Sequence, residues 1–494
     1  MKNIVGFDCG NSSFRITIGR YDGKRINTQV VEQIPNQMIQ INGDYYWDIL
    51  NIYKGLVDGL KKAANLVDKI DSIGLSTWGI DFAMFSKEKV MINNPYSYRN
   101  TFGNEVLNAI PESEQNEMFL ETGILCDKIN SVFMLKALQN KIGSITKAAD
   151  KLLMIPDILN FFLTGKMINE PSELSTSQMM DSRTKEISSF MCDKFGIKKD
   201  LFCSIGHHGE LIGLLSKEVK DEIGVDYDIP VICVPSHDTA AAVLAIPAKE
   251  DSFAFISSGT WSLIGTEIEK PIVNEETRRA KLTNEVGAFD KITLLKNGAG
   301  MFIIQRLKTE CEQELGREVS WKEIDEMAAS KADDVPVFLV QDSKYFNPLS
   351  MSDEIWNYFK QTEQVTTEKD WVTLFRSFDE SMACSYAETI REIEKVTKKS
   401  FDSIYMVGGG SRNSLLCQLS ANYSGKNLFL GGKESTSLGT ILAQIKYFEK
   451  EKTILELRNI ISTELSEKHY ECEISANSEV LDRYKKLITK GEKV

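Results

Sequence analysis

A single aspartate near the middle of the chain has the surroundings of a proton acceptor. Asp238 lies in the stretch PSHDTAAAVL, residues 235–244. The apolar residues before this stretch predict a strand, and its alanines predict a helix. Asp238 then falls in the first helical turn, where unpaired backbone N–H groups and the helix dipole favour the ionised carboxylate. The alternative is that Ser236 or Asp238 merely caps the helix.

A second candidate site is the polar turn near the N-terminus. Residues 4–7 predict an apolar strand and residues 14–18 an alternating strand, joined by DCGNSS at 8–13. Backbone N–H groups and hydroxyls in such a tip can surround phosphate oxygens, and Asp8 can hold a magnesium ion through water. An ordinary hairpin turn uses the same residue types, so this stretch alone leaves both interpretations open.

The segments that follow predict a mixed α/β layout. A strand is expected over 27–34, a helix over 47–67 and a strand over 70–76. This order differs from the strict alternation of strands and helices in a dinucleotide-binding sheet. Gly79 and Asp81 follow the last of these strands, where α/β folds place ligand groups, and both suit a polar cleft.

The next part of the chain is rich in predicted helices. Helices are expected over 130–138 and 154–164, and Gly165 closes the second of them. The serine- and threonine-rich residues 172–177 predict a loop, facing either solvent or a substrate.

The polar break PAKED at 247–251 suggests a boundary between two domains, 1–246 and 247–494. Two domains of about 250 residues are the default for a chain of this length. After the break, FAFISSGTWSLIG at 253–265 repeats the order strand, small polar turn, strand of the N-terminus. An internal duplication explains this echo, and chance similarity is the alternative. Under a duplication, each half begins with a phosphate-binding hairpin.

Further polar and glycine-rich positions lie in the second half. Asn297 and Gln305 carry amides near a predicted helix, although either could be an ordinary surface residue. A predicted strand at 404–407 and a predicted helix at 414–421 flank three glycines at 408–410. Glycines between a strand and a helix allow a flat ligand such as adenosine to approach the backbone closely.

The composition narrows the classes of function. A formal net charge of −13 argues against binding to nucleic acid or an anionic membrane through the overall field. Apolar runs stay below the roughly 18 residues of a membrane span, and no signal region precedes the first strand, so a cytoplasmic location is expected. The four histidines lack paired metal-ligand spacing.

Taken together, these stretches resemble the FGGY carbohydrate kinases of the actin and hexokinase superfamily. Accidental agreement in this order and at these separations is very improbable. The stretches that carry the resemblance are DCGNSSFR (8–15), STWGIDF (76–82), MIPDILNFFLTGK (154–166), PSHDTAAAV (235–243), SSGTWSLIG (257–265), LLKNGAGMFIIQR (294–306) and VGGGSRNSLLCQL (407–419).

The resemblance implies an α/β fold of two actin-like, ribonuclease H-like domains with ATP in the cleft between them. It implies ATP- and Mg²⁺-dependent phosphorylation of the C1 hydroxyl of L-rhamnulose, by a monomer or homodimer. Asp238 matches the catalytic base, Gly79 and His237 match sugar contacts, and Asp81 is a further sugar candidate. The positions matched to nucleotide binding are Asn11, Ser12, Ser13, Phe14, Arg15, Gly259, Thr260, Asn297, Gln305, Gly408, Gly409, Gly410 and Asn413.

Two positions depart from the family pattern. Phe14 stands where relatives often have glycine, and Asn100 follows Arg99 where an acidic residue is common. The alternative functions are a kinase for another ketose, such as L-fuculose or D-xylulose, an ATP-switched binding protein and a sugar sensor without catalysis.

Overall fold

The computed structural model describes residues 1–250, 252–432, 434–461, 469–473 and 478–491. Asp251, the last residue of the predicted break, lies outside them. The strands are β1 (Lys2–Cys9), β2 (Ser13–Tyr21), β3 (Ile26–Pro35), β4 (Met38–Ile41), β5 (Asp44–Trp47), β6 (Ser72–Thr77), β7 (Phe82–Phe85), β8 (Lys151–Met154), β9 (Met180–Asp181), β10 (Glu186–Ile187), β11 (Leu211–Leu214), β12 (Pro230–Ile232), β13 (Phe253–Ser258), β14 (Trp261–Ile268), β15 (Thr283–Val286), β16 (Ile292–Ala299), β17 (Ser403–Val407), β18 (Asn427–Leu430) and β19 (His469–Tyr470).

Helices are interspersed with these strands. They are α1 (Ile49–Ala64), α2 (Phe102–Asn108), α3 (Glu112–Thr122), α4 (Ser131–Lys141), α5 (Gly143–Ala148), α6 (Ile155–Thr164), α7 (Pro171–Thr176), α8 (Ser189–Phe195), α9 (Lys217–Ile223), α10 (Asp238–Leu244), α11 (Glu275–Arg279), α12 (Phe302–Leu315), α13 (Trp321–Ala329), α14 (Met351–Gln361), α15 (Trp371–Thr397), α16 (Ser414–Ser424), α17 (Ser435–Phe448), α18 (Ile454–Ile461) and α19 (Ser478–Gly491). No helix in the described ranges is both long and apolar enough to cross a membrane.

The first large sheet has the strand order β11-β12-β6-β1-β2-β3. Strands β1, β2 and β3 are antiparallel neighbours, whereas β6 runs parallel to β1. Side chains of β1 alternate between two cores, because Val5 and Phe7 pack with α1 and α6 while Ile4 packs with α10 and α17. The sheet is therefore covered by helices on both faces, and the predicted mixed layout is confirmed.

The predicted loop at 172–177 is wrong, because this stretch forms the buried helix α7. The Glu170 carboxylate accepts hydrogen bonds from the backbone N–H groups of Ser172 and Glu173 and so caps the helix. The hydroxyls of Ser175 and Thr176 donate to carbonyls three residues earlier. Serine and threonine hydroxyls that donate to carbonyls of their own helix do not need water as a partner, so these residues can be buried in a helix.

The second large sheet has the order β15-β16-β14-β13-β17-β18-β19. Strands β13 and β14 form the predicted hairpin, and β13 pairs in parallel with β17. The predicted strand at 404–407 and helix at 414–421 correspond to β17 and α16.

The chain divides into two compact units. Unit 1 comprises residues 1–249, 267–294 and 434–465, and unit 2 comprises residues 250–266, 295–433 and 466–494, each within the described ranges. Unit 1 contains Asp238 and the N-terminal hairpin. Unit 2 contains the second hairpin and the glycine loop.

Candidate active site

Asp238 is the first residue of α10, as predicted, and it does not cap the helix. His237 is the N-cap residue, and its side chain makes no capping hydrogen bond. The Asp238 side chain is 39% exposed and lies 3.5 Å through Oδ1 from His237 Nε2. Oδ1 also accepts a hydrogen bond of 3.2 Å from the Thr239 hydroxyl. Its remaining lone pairs are available to a ligand proton.

The turn that leads into α10 is attached to the end of β6. The backbone N–H of Thr77 donates to the Ser236 carbonyl at 2.7 Å. The backbone N–H of His237 donates to the Ser172 hydroxyl at 3.0 Å. Strand β6 and helix α7 therefore both fix the position from which His237 and Asp238 project.

The His237 ring lies against two carboxylates. Its Nδ1 is 3.3 Å from Oε2 of Glu285 on β15, and its Nε2 faces Asp238. Burial lowers the pKa of His237, but the Glu285 carboxylate, helped by Asp238 and Glu170, more than offsets this and raises the pKa to about 9. His237 is consequently a cation at neutral pH.

Gly79 lies in the turn after β6 and faces α7. A Cβ atom at this position would lie 3.0 Å from both side-chain branch atoms of Thr176 and 3.3 Å from His237 Cδ2. The Thr176 hydroxyl accepts from the backbone N–H of Ile80, which has a φ of +72°. Gly79, Thr176 and His237 are thus brought together with no room for a larger side chain.

Asp81 is buried behind this turn. Its Oδ2 accepts hydrogen bonds from the indole N–H groups of Trp47, at 2.6 Å, and Trp78, at 2.9 Å. Burial raises the pKa of Asp81 to about 7, although the two indole donors oppose the shift. The two indole rings are 4.2 Å apart. The carboxylate therefore fixes the aromatic pair that supports the Gly79 turn.

Helix α7 brings buried acids close to the site, which sequence reasoning missed. Glu170 accepts from Ser172 and bonds to the His208 ring. Glu173 accepts from the Thr77 hydroxyl at 3.3 Å. Burial, together with the negative charge of Glu170, raises the pKa of Glu173 well above its usual range. Burial therefore disfavours the charged form of Glu173.

At the base of the first hairpin, Asp8 and Arg15 face each other across β1 and β2. Asp8 Oδ2 lies 3.6 Å from the Arg15 guanidinium, and it accepts a hydrogen bond of 3.2 Å from Ser437. The guanidinium also lies 3.2 Å from the Glu434 carboxylate. Burial, and then the negative charge of Asp238, raise the pKa of Asp8 to about 7. A cation near Asp8 would therefore lower its pKa and favour the charged carboxylate.

At the tip of this hairpin, some polar groups are exposed and others already have hydrogen-bond partners within the protein. The turn closes through a hydrogen bond of 2.9 Å from Gly10 N–H to the Ser13 carbonyl. Asn11 and Ser12 are exposed, and the Asn11 amide donates to the Tyr98 hydroxyl at 3.0 Å. The Ser13 hydroxyl accepts from Gln33 at 3.1 Å.

The Phe14 side chain turns away from the tip and into the core. Its ring is fully buried and lies 5.5 Å from the Phe7 ring. Gly55 on α1 makes room for it, because a Cβ atom at Gly55 would lie 2.4 Å from Phe14 Cζ. The departure at this position is accommodated by α1, and only the backbone of Phe14 belongs to the hairpin tip.

Asn100, the other departure, anchors a neighbouring hairpin. Its side chain accepts from the Tyr45 backbone N–H at 2.8 Å and donates to the Tyr45 carbonyl at 2.7 Å. An acidic residue lacks the donor for the second bond. Asn100 thus serves the backbone of β5.

Helix α17 was not predicted as part of the site, yet it supports both Asp8 and α10. A Cβ atom at Gly439 would lie 1.8 Å from the Ala241 carbonyl oxygen, so only glycine permits this approach of the two helices. Thr440 donates to Ser76, and Gln444 donates to the Val5 carbonyl. A regular spacing of small and polar residues from 435 to 444 was the signal available in the sequence.

In unit 2, the second hairpin tip meets the glycine loop and the start of α12. A Cβ atom at Gly408, whose φ is +86°, would lie 2.6 Å from the Ser258 carbonyl oxygen, and one at Gly410 would lie 2.1 Å from Ser258 Oγ. The Gly259 carbonyl accepts from Met301 N–H at 2.9 Å. The three segments therefore form one surface of closely packed backbone.

The remaining candidates in unit 2 differ in exposure. Asn297 and Gln305 are exposed, on β16 and α12, whereas Asn413 is buried. The Asn413 side chain accepts from Leu416 N–H as the cap of α16 and donates to Asp379 at 2.7 Å. Burial raises the pKa of Asp379 to about 8. The backbone N–H of Asn413 donates to the Gly410 carbonyl at 3.0 Å, so Asn413 links the glycine loop to α15 and α16.

Comparison with known families matches most of the chain. The model of the N-terminal domain of the FGGY family of carbohydrate kinases matches residues 3–245, and the model of the C-terminal domain matches residues 254–446.

Curated relatives and solved structures agree with this match. A rhamnulokinase of Bacteroides thetaiotaomicron is 33% identical over 476 residues, covering 95% of this chain and 96% of the relative. One of Oceanobacillus iheyensis is 32% identical over 459 residues, covering 92% and 96%. The structure of xylulose kinase from Rhodospirillum rubrum superposes with a TM-score of 0.82 at 11% identity, over 100% of this chain and 99% of that one. At this identity, the last likeness concerns the fold alone.

Proposed function

Since the chain belongs to the FGGY family of carbohydrate kinases, we propose that it transfers the γ-phosphoryl group of ATP to the C1 hydroxyl of L-rhamnulose. The products are L-rhamnulose 1-phosphate and ADP. The near full-length similarity to rhamnulokinases supports this choice of sugar. The observation that best supports this reaction is the Asp238 carboxylate at the start of α10, which is partly exposed and makes no helix-capping hydrogen bond.

Asp238 acts as the general base in this proposal. The proton of the C1 hydroxyl passes to a carboxylate oxygen of Asp238 as the C1 oxygen bonds to the γ-phosphorus. The bond from that phosphorus to the oxygen shared with the β-phosphate breaks, and ADP leaves. A carboxylate with free lone pairs and a fixed backbone suits this role, because the proton acceptor must be within hydrogen-bond reach of the hydroxyl.

The sugar is received by the surface around Gly79 and His237. Glycine at position 79 lets the turn lie close to Thr176 and His237, and His237 supplies a positively charged donor for a sugar oxygen. Asp81 supports this surface through Trp47 and Trp78, and a direct contact of Asp81 with the sugar stays a prediction.

Each hairpin tip is proposed, within its own unit, to bind phosphate oxygens of ATP. The exposed Asn11 and Ser12 and the Arg15 guanidinium serve the first tip, and Gly259 and Thr260 serve the second. Backbone N–H groups and a guanidinium are donors that spread the negative charge of a transferring phosphoryl group. Asn297, Gln305 and the glycines at 408–410 are proposed for the rest of the nucleotide, with Asn413 ordering the loop.

A magnesium ion fits beside Asp8. The carboxylate is a hard oxygen donor whose pKa is raised to about 7 by burial and by the charge of Asp238, and a cation offsets both effects. When bound, the ion neutralises charge on the phosphate oxygens of ATP. Asp8 would hold it through water.

The remaining expectations stay predictions. They are the division into domains 1–246 and 247–494, a cytoplasmic location and a monomeric or homodimeric state.

The proposal is tested by identifying the product. Purified protein, ATP, Mg²⁺ and L-rhamnulose are incubated, and ³¹P NMR follows the new phosphate monoester while a coupled assay measures ADP. We expect a monoester coupled to the C1 protons and one ADP for each ester. Release of inorganic phosphate without an ester, or no turnover with any ketose, would contradict the proposal and favour the ATP-switched binding protein.

A further inference from the structure

We propose that Glu285 is a positioning residue for phosphoryl transfer: it fixes the His237 ring so that Nε2 presents a proton toward Asp238 and the sugar. This inference rests on the proposed function. Glu285 belongs to none of the motifs that carry the family resemblance, and its signal is purely structural: Oε2 lies 3.3 Å from His237 Nδ1.

The strand that carries Glu285 is held in place on both sides. The backbone N–H of Asn284 donates to the Gly123 carbonyl at 3.0 Å, and the Asn284 amide donates to the same oxygen. The backbone N–H of Val286 donates to the Ser175 hydroxyl on α7 at 3.0 Å. The side chain of Glu285 is only 16% exposed. Little conformational freedom remains to be lost when Glu285 orients the histidine.

The His237 ring is confined in the same way. Its backbone N–H is bonded to Ser172, and its Cδ2 edge lies over Gly79. One ring nitrogen faces the Glu285 carboxylate and the other faces the Asp238 carboxylate. Both contacts are at ion-pair distance, 3.3 Å for Nδ1 and 3.5 Å for Nε2, and two flanking carboxylates favour a ring that carries a proton on each nitrogen.

The charged groups near the His237 ring also favour a ring with a proton on each nitrogen. They are Asp238 on α10, Glu285 on β15 and Glu170 at the start of α7. Glu170 already has His208 as its partner, and burial raises the pKa of Glu173, which disfavours its charged form. Glu285 is therefore the carboxylate that balances the charge of His237 without belonging to the proposed reaction.

This arrangement has two consequences for the reaction. A doubly protonated His237 can donate to a sugar oxygen but cannot accept from one, which selects how the sugar is oriented. It also places a positive charge beside the carboxylate that takes the C1 proton. Without Glu285, burial favours a neutral ring, which carries a single proton and no longer places a positive charge beside Asp238.

The first measurement needs neither sugar nor ATP. The protein is labelled with ¹⁵N in the histidine rings, and His237 is identified by loss of its signals in His237→Asn; the chain has four histidines. At pH 7.5 we expect both ring nitrogens of His237 to be protonated, and in Glu285→Gln we expect a neutral ring. A neutral His237 in the unsubstituted protein would overturn the proposal, whether or not any variant folds.

The second measurement is the pH profile of kcat with L-rhamnulose. We expect Glu285→Gln to lower kcat by about tenfold to a hundredfold, by analogy with the loss of the carboxylate that orients a metal-bound histidine. Because activity requires the protonated ring, the rate falls as pH rises through the pKa of about 9, and this fall moves to lower pH in the variant. Glu285→Asp retains the charge and is expected to recover part of the rate.

Glu269→Gln is the matched control, since Glu269 is an exposed carboxylate of unit 1 that pairs with Lys291. Its rate, pH profile and histidine signals should equal those of the unsubstituted protein. An unshifted pH profile in a folded Glu285→Gln would overturn the positioning role. If the NMR results hold and L-rhamnulose is not phosphorylated, the proposed function fails while the link between Glu285 and His237 stands.

Discussion

Replacing Asp238 by asparagine removes the proposed base and leaves almost everything else in place. Asparagine has the same shape, and its oxygen can still accept the bond from Thr239. No helix-capping bond is lost, because the Asp238 side chain does not cap α10. The substitution removes a negative charge near His237 and Asp8. It also removes the acceptor for the C1 proton.

The expected effects on rate and stability differ in size. Loss of a general base lowers kcat by roughly 10² to 10⁴, or about 2.7 to 5.4 kcal/mol of transition-state stabilisation. Loss of a charge in the first turn of a helix costs about 0.3 to 1 kcal/mol, which corresponds to a Tm shift below about 4 °C. The rate should therefore collapse in a protein that is still folded.

Three measurements on one preparation test this reasoning. They are kcat from ADP release, Tm from scanning calorimetry and ATP affinity from titration calorimetry. Asp58→Asn, which removes an exposed carboxylate paired with Lys54 on α1, is the control and should match the unsubstituted protein. A folded Asp238→Asn that keeps near-normal kcat would refute the assignment of Asp238 as the base.

Three further substitutions test the supporting geometry. Gly79→Ala places a methyl group 3.0 Å from Thr176 and 3.3 Å from His237, so KM for the ketose should rise about tenfold; an unchanged KM contradicts the packing argument. Gly410→Ala places a methyl group 2.1 Å from Ser258 Oγ and should raise KM for ATP but not for the ketose, whereas equal changes in both count against it. Gly143→Ala, whose methyl group meets nothing within 4 Å, is the control for both. Asp81→Asn tests a pH dependence of stability: the folded-state pKa of about 7 exceeds the ordinary 3.8, so the unsubstituted protein loses stability as pH rises from about 4 to 7. Denaturant unfolding at pH 5 and pH 8 should show a smaller decline in the variant, and equal declines would show that Asp81 is not the source.

The sequence predicted the parts of the fold that local chemistry determines. Alternating apolar residues marked the first hairpin, and the position of Gly165 marked the end of α6, where it adopts a φ of +70°. The placement of Asp238 in the first turn of α10 followed from the change from β-branched residues to alanine. The two-domain α/β fold and the family predicted from the motifs are confirmed by the comparisons.

The parts that were missed depend on distant partners. Helix α7 was predicted as a loop because its hydroxyls suggest solvent, yet the buried Glu170 and the helix carbonyls satisfy them. In the sequence, Glu285 looks like an ordinary polar residue of a strand. Only the tertiary structure brings it to His237, which lies 48 positions earlier in the chain. Phe14 was matched to a nucleotide-binding position by the resemblance, but nothing in the sequence indicated that Gly55 on α1 leaves room for its ring in the core.

The choice of sugar is tested most directly by competition among ketoses. A single preparation is assayed for kcat/KM with L-rhamnulose, L-fuculose and D-xylulose at saturating ATP and Mg²⁺. A site that hydrogen-bonds particular hydroxyls rejects an epimer strongly, because the mismatch leaves buried polar groups unpaired. We predict the highest kcat/KM for L-rhamnulose, and a tenfold or greater advantage for either of the other two sugars would contradict the proposed substrate.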